Sequence, residues 1–202
     1  MSLTNSPRLE SENLILRGPE MRDFEPIAQF YADAPRAAGF GGSLKRDESW
    51  RWFASNIGHW HIHGYGYFTI ETKTGDVAGI SGVWNPEGWP EPEVGWVVYA
   101  GFEGRSIAYE AAARARKWAY EALCMTTLTS NILANNARSI KLAERLGAQY
   151  ERTYTNPNMG EGLLYRHPGP RCCDGTAAPP PVPPLKSPCP LPVSPAKFEV
   201  QT

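Results

Sequence analysis

Apolar side chains recur along this chain at two periods, and the switches between them mark out a series of elements. Near the start, "NLILRG" is a short apolar run and predicts a strand. In "EMRDFEPIAQFYAD" the apolar positions Met21, Phe24, Ile27, Phe30 and Tyr31 follow helical spacing, and Pro26 then has to sit in the first turn. Trp50, Phe53 and Ile57 in "RDESWRWFASNIGHW" repeat that spacing and predict a second helix. "GYFTIETKTGDVAGISGVW" predicts a hairpin turning at Thr74-Gly75-Asp76, and "EVGWVVY" is a further strand rich in β-formers. A long helix is expected from Gly104 to Leu123, with Ile107, Ala111, Ala115, Trp118 and Ala122 along one face. Then follow a strand "TTLTSNIL", a helix "ARSIKLAERL" closed by Gly147, and two last strands around "AQYERTY" and "GLLYRHP". This order implies an α/β chain of α+β type: a mixed, mostly antiparallel twisted sheet of six to seven strands with helices on its faces.

Composition changes the picture at one place. From Pro168 onward the sequence holds more than half of the 19 prolines, which removes backbone donors and leaves too few apolar groups to offset ordering entropy. Residues 8–168 are therefore read as one domain and residues 169–202 as a proline-rich disordered tail. "PPPVPP" within it is either a spacer or a ligand for an aromatic-lined groove.

A net charge of -1 and a pI near 6.4 offer no basic footprint for nucleic acid or an anionic membrane. The opening residues lack the apolar core of a signal peptide and no later stretch is apolar for long enough to span a bilayer, so a cytoplasmic protein is expected. Cys124 stands alone in the body of the chain while Cys172, Cys173 and Cys189 lie near its end. Neither a disulfide framework nor a metal-ligand spacing emerges.

Two helix beginnings stand out chemically. "GFEGRSIAYEAA" bares backbone just where a helix starts, and a helix start is a ready site for an anion such as phosphate. Gly101 and Gly104 let a ligand come close, and Gly104, Arg105, Ser106, Ile107 and Ala108 would aim successive amides at it. In "NNARSIKLAERLGA", Asn136 is a natural N-cap with Ser139 at the third helical position. Arg105 and Arg138 both oppose the helix dipole in a first turn, which points to one multiply charged anion between them.

These two stretches, with strands between them, resemble the GCN5-related N-acetyltransferases, and within them the RimJ/RimL-like branch. "EVGWVVYAGFEGRSIAYEA" is similar to that branch's strand, bulge and acetyl-CoA loop, "NNARSIKLAERLGA" to its second signature, and "GHWHIHGYGYFTIE" and "YRHP" also resemble it. The resemblance spans about residues 8–168 and implies the fold of that family, with acetyl-CoA as cosubstrate and no metal. It implies that Trp96, Val97 and Val98 splay from "TSNIL" to pair with the pantetheine arm, that residues Glu103, Gly104, Arg105, Ser106, Ile107 and Ala108 wrap the pyrophosphate, that Asn136 lies beside the pantetheine, and that Arg105 or Arg138 reaches phosphate. Three positions depart from the pattern. Glu103 stands in place of Gln or Arg, Ser106 in place of the central glycine, and Ala143 where many relatives keep a tyrosine that protonates the leaving thiolate.

Acetyl transfer to an amine needs a proton acceptor, because an alkylamine is almost wholly protonated at pH 7. Glu93 is the candidate base, the alternative being a solvated carboxylate at a strand edge. Ser139 is the candidate donor to the thiolate, with plain capping as its alternative role, and Tyr99 and Tyr109 are further hydroxyls. A backbone N–H near Val97 or Val98 would polarise the carbonyl. His59, His61 and His63 are read as loop packing that walls the acceptor site rather than as a zinc site. Trp50, Trp52, Trp60, Trp84 and Trp89 are expected to line the acceptor pocket. The expected activity is single-step N-acetylation of a primary amine, either a small molecule or a protein N-terminus; the alternative is a catalytically degenerate sensor that binds coenzyme A. A homodimer is left open.

Overall fold

Apolar alternation becomes an eight-stranded sheet in the computed structural model, which describes residues 2–156 and 160–170. Strands β1 (Leu9–Glu10), β2 (Leu14–Arg17), β3 (Tyr67–Thr72), β4 (Val77–Trp84), β5 (Glu93–Val98), β6 (Thr129–Leu133), β7 (Gln149–Asn156) and β8 (Gly160–Arg166) lie in the order β1-β2-β3-β4-β5-β6-β8-β7. Neighbours are antiparallel except β5 and β6, which run parallel. The sheet is wider than the expected six to seven strands. β1 is a two-residue edge pairing Leu9 with Leu16, too short to leave a periodic signal.

A short 3-10 turn at Met21–Asp23 leads into α1 (Phe24–Ala32), with Pro26 in its first turn as steric fit requires. There follow α2 (Ala34–Ala37), α3 (Arg46–His63), α4 (Ile107–Ala122) and α5 (Ala137–Arg145). Gly64, at φ 75°, closes α3 by donating its N–H to the Trp60 carbonyl, so the helix runs further than expected. His59, His61 and His63 are thus helical, which corrects their assignment to a loop.

Strand alternation sorts the core onto two faces. Phe68, Ile70, Val83 and Val94 pack with Ala111, Ala115 and Trp118 of α4, while Tyr67, Ile80, Trp84, Val97 and Tyr99 pack with Ile27, Tyr31 and Phe53 of α1 and α3. Ala111, Ala112, Ala115 and Ala119 are fully buried, and such small groups let α4 lie close to the sheet; Ala122, expected on that face, is exposed. A third cluster under α5 joins Ile132, Ala143, Ala148 and Tyr165. Among the described residues no helix is long and apolar enough to cross a membrane. Of the expected tail, residues 171–202 lie outside the described residues, as do Cys172, Cys173 and Cys189.

Candidate active site

Across the parallel edge only Glu93 and Thr129 are in register, and beyond them β5 and β6 part. A parallel ladder continued by one step would send the Asn131 N–H to the Val94 carbonyl. Instead Ser130 Oγ donates to that carbonyl at 2.6 Å, and the Asn131 N–H donates to Glu93 Oε2 at 3.0 Å. Two side chains therefore take over the bonds that would have zipped the strands together.

Behind Ser130 stands His167, buried just past the end of β8. Its Nδ1 accepts from Arg116 Nη1 at 2.9 Å, which leaves Nε2–H to donate to Ser130 Oγ, also at 2.9 Å. The order Arg116, His167, Ser130, Val94 carbonyl gives every donor in the chain an acceptor. Burial, with the Arg116 charge as the second cause, pulls His167 down to about 3, so the ring is neutral as this arrangement requires. None of Arg116, Ser130 and His167 was singled out in the sequence, although "YRHP" contains the histidine.

The fork also exposes backbone. Tyr99 N–H pairs with the Ala78 carbonyl, so alternation turns the odd-numbered peptide groups of β5 toward β4. Those of Trp96 and Val98 face the opening beside β6 without a ladder partner there. Val97 differs from the expectation: its peptide group belongs to the β4 ladder and its side chain to the core.

At the fork lies a cavity of about 250 Å³ that brings together Glu93, Trp96, Asn136 and Ser139. Glu93 is buried on its wall, on the α1 and α3 face of the sheet, and not in open solvent. Burial pushes its carboxyl from 4.5 up to about 7, and the Asn131 backbone N–H offsets only part of that rise. The Asn131 amide and the Trp89 indole N–H stand near enough to moderate it further, yet both lack a hydrogen bond of ordinary geometry among the described residues. Trp52, Trp84 and Trp89 line the cavity as expected. Trp50 and Trp60 do not: Trp50 is exposed against Phe24, and Trp60 packs on Phe68 and Trp118 in the α4 cluster. His59 is one ring further back, stacked on Trp84 at 4.3 Å, with Asn85 N–H donating to its Nε2 at 3.1 Å.

Between β5 and α4 the backbone takes three left-handed residues, Gly101 (φ 82°), Gly104 (φ 74°) and Ser106 (φ 58°). Ser106 holds a conformation that glycine adopts freely, at a strain on the order of 1–2 kcal/mol for a residue with a side chain. Ser106 is also the N-cap and makes no side-chain cap, so the first-turn N–H groups of α4 keep no side-chain acceptor. α4 begins only at Ile107, which puts Arg105 ahead of the helix, exposed, 5.5 Å from the Phe102 ring. It is not in a first helical turn. Glu103 is turned back into its own loop, accepting from Gly101 N–H at 2.9 Å and pairing with Arg36. The Arg36 guanidinium holds its carboxyl below the usual range.

Asn136 caps α5 as expected, its Oδ1 accepting from Ser139 N–H at 3.1 Å, and Arg138 is exposed in the first turn. Arg145, in the last turn of α5, stacks on Tyr109 in the first turn of α4 at 4.3 Å. At 1.5 Å rise per residue, this sets Arg138 about 10 Å further along the helix. Arg145 thus accompanies the start of α4, and sequence spacing carried no sign of it. Ala143 is fully buried beneath α5, and Tyr99 is a core ring whose hydroxyl burial drives upward in pKa.

The sequence matches the family described as "Acetyltransferase (GNAT) domain" over residues 13–149. A crystal structure of the acetyltransferase from Agrobacterium tumefaciens str. C58 is 36% identical, with a TM-score of 0.74, and the match covers 80% of this chain and 94% of that one. Ribosomal-protein-S5-alanine acetyltransferase from Vibrio fischeri shares the fold at 18% identity and a TM-score of 0.63, over 80% of this chain and 96% of its own. RimL, a ribosomal L7/L12 alpha-N-protein acetyltransferase solved in complex with coenzyme A, does so at 15% identity and a TM-score of 0.66, over 80% and 97%. This chain belongs to the GNAT acetyltransferase family, with RimL-type enzymes among the proteins that share its fold.

Proposed function

We propose that the protein is an acetyl-CoA-dependent N-acetyltransferase that passes the acetyl group to a primary amine in one direct step, with Glu93 as the base. The observation that carries this reading is a buried carboxyl held near pH 7 at the fork of β5 and β6, on the wall of a cavity. A base poised near neutrality takes up a proton efficiently at the pH of a cell.

The residues present fit the cosubstrate. Free peptide groups of Trp96 and Val98 suit an extended pantetheine arm bound as an added strand. The loop from Glu103 to Ala108, with its positive-φ backbone, suits a diphosphate, with Arg105 inside it, Arg36 paired to Glu103, Arg145 over Tyr109 and Arg138 in the first turn of α5 as the cations that could reach it. In the reaction the amine nitrogen bonds to the acetyl carbon, the carbon–sulfur bond breaks, and one amine proton passes to Glu93. A fork-facing N–H of β5 polarises the carbonyl. Ser139, which lines the same cavity, is assigned to donate to the departing sulfur.

The test is free-thiol release from acetyl-CoA with a panel of amines. Wild-type kcat/KM should rise with pH through about 7 as Glu93 ionises. Glu93→Gln should lose on the order of 100-fold or more at pH 7 and regain ground at high pH, where the amine sheds its own proton. Binding of coenzyme A without thiol release for any amine would favour the sensor reading instead.

A further inference from the structure

The cavity has a polar end at Glu93, an aromatic wall opposite it, and Asn136 and Ser139 at its α5 side. Its polar end gathers the Glu93 carboxylate, both amide atoms of Asn131 and the Trp89 indole N–H, the last three without a hydrogen bond of ordinary geometry among the described residues. The opposite walls are Tyr31, Phe40, Trp52, Tyr67 and Trp84, together with Leu44. These rings brace one another: Trp52 stacks on Trp84 at 6.1 Å and lies 5.6 Å from Tyr31, and Phe40 meets Tyr67 at 5.7 Å. Among the described residues that line the cavity there is no lysine, arginine or histidine.

Access is limited as well. The segment from residue 38 to 45, between α2 and α3, reaches over to the start of α5, where Asn136 Nδ2 donates to the Gly39 carbonyl at 3.4 Å. A side chain at residue 39 would meet that nitrogen at 2.4 Å, so any residue but glycine would have to push the Asn136 amide aside. This strap leaves a space of about 250 Å³, below the roughly 300–1,000 Å³ of sites for drug-sized ligands.

Resting on the N-acetyltransferase reading, we infer that the acceptor is a small primary amine carried on a neutral aromatic body, an arylalkylamine, and neither an amino acid nor a protein N-terminus. The ammonium head would be drawn in by the ring faces and hand a proton to Glu93. Its aryl body would replace water against Trp52 and Trp84. A carboxylate would be buried in this cavity without a cation, which is costly, and a continuing peptide is disfavoured by a space of only about 250 Å³ beneath the strap.

The experiment compares kcat/KM of the full-length protein for 2-phenylethylamine, phenylalanine and a short peptide with a free N-terminal alanine, by thiol release from acetyl-CoA. Phenylalanine differs from 2-phenylethylamine only by its carboxylate, so their ratio isolates that group. A preference for 2-phenylethylamine over both others of about tenfold or more is expected, since an unpaired buried charge discriminates strongly. A smaller preference, or a reversed one, overturns the inference while leaving the N-acetyltransferase reading intact. Thiol release with none of the three but with another amine of the panel likewise overturns the inference, whereas coenzyme A binding in calorimetry with thiol release for no amine of the panel overturns that reading itself. As a second measure, Trp52→Leu should lower the ratio of 2-phenylethylamine to n-butylamine, and Trp52→Phe should restore most of it; an unchanged ratio in folded Trp52→Leu also overturns the inference.

Discussion

At the scale of single residues, two side chains hold states that ordinary chemistry disfavours. Glu93 is one. Its carboxyl binds a proton more tightly in the folded chain, about 7 against 4.5, so its contribution to stability is full below pH 4.5 and is lost as pH rises through 7. Glu93→Gln removes that loss while keeping an oxygen for the Asn131 N–H. The variant should match wild type near pH 5 and exceed it by roughly 1–3 kcal/mol at pH 8, read from urea midpoints at both pH values. Ser106 is the other. Replacing it with glycine relieves left-handed strain but loosens the unfolded chain by about 0.4–1 kcal/mol, so Ser106→Gly should be neutral or slightly stabilising. Ser106→Val should cost about 1–2 kcal/mol, because a β-branched residue is worse still at positive φ. Thermal melts of the three proteins decide it.

The fork between β5 and β6 is an element-scale device, because no single residue opens it. Ser130 occupies the Val94 carbonyl and Glu93 occupies the Asn131 N–H, while His167 and Arg116 hold Ser130 from behind. Ser130→Ala frees the carbonyl for the Asn131 N–H and lets the ladder close by one step. Coenzyme A affinity in calorimetry should fall by about tenfold, the worth of one buried hydrogen bond, and Ser130→Thr should recover it. The same chain has an acid limit. His167 titrates near 3 when folded against an ordinary 6.5, so the unfolded chain binds the extra proton between those values and stability drops as pH falls through that window. His167→Gln should flatten this acid limb in denaturant titrations between pH 6 and pH 4. In that range Glu93 works with the opposite sign, so the flattening is clearest in the Glu93→Gln background.

For the whole molecule, among the described residues all three core clusters and every strand fall between Leu9 and Tyr165 or its immediate neighbour Arg166, and His167 is the last buried group. A chain ending after Pro170 should therefore keep its thermal midpoint within a few degrees and its coenzyme A affinity within about twofold. If the proline-rich residues 171–202 recruit a partner, the same truncation abolishes its recovery in a pull-down and leaves catalysis unchanged.

Much of this was legible before folding. Periodicity located the four longer helices and nearly all the strands but not the one-turn α2, since 3.6- and 2-residue spacings are local and need length to show, and Asn136 and Gly147 marked the ends of α5 through capping chemistry that acts within a few residues. Glu93, Trp96, Asn136 and Ser139 could be named from the order of elements and resemblance, and they do share one cavity. Contacts between residues far apart in sequence were silent. Nothing in "YRHP" says that His167 lies 2.9 Å from Ser130, and nothing in two arginines near helix starts says that α5 turns its other end, with Arg145, toward α4. Ser106 is a polar letter in the sequence and a left-handed residue only in the fold. Local spacing encodes what a segment is, whereas the state of a buried carboxyl or the bond that opens a sheet depends on which distant groups exclude water from it, and only tertiary packing decides that.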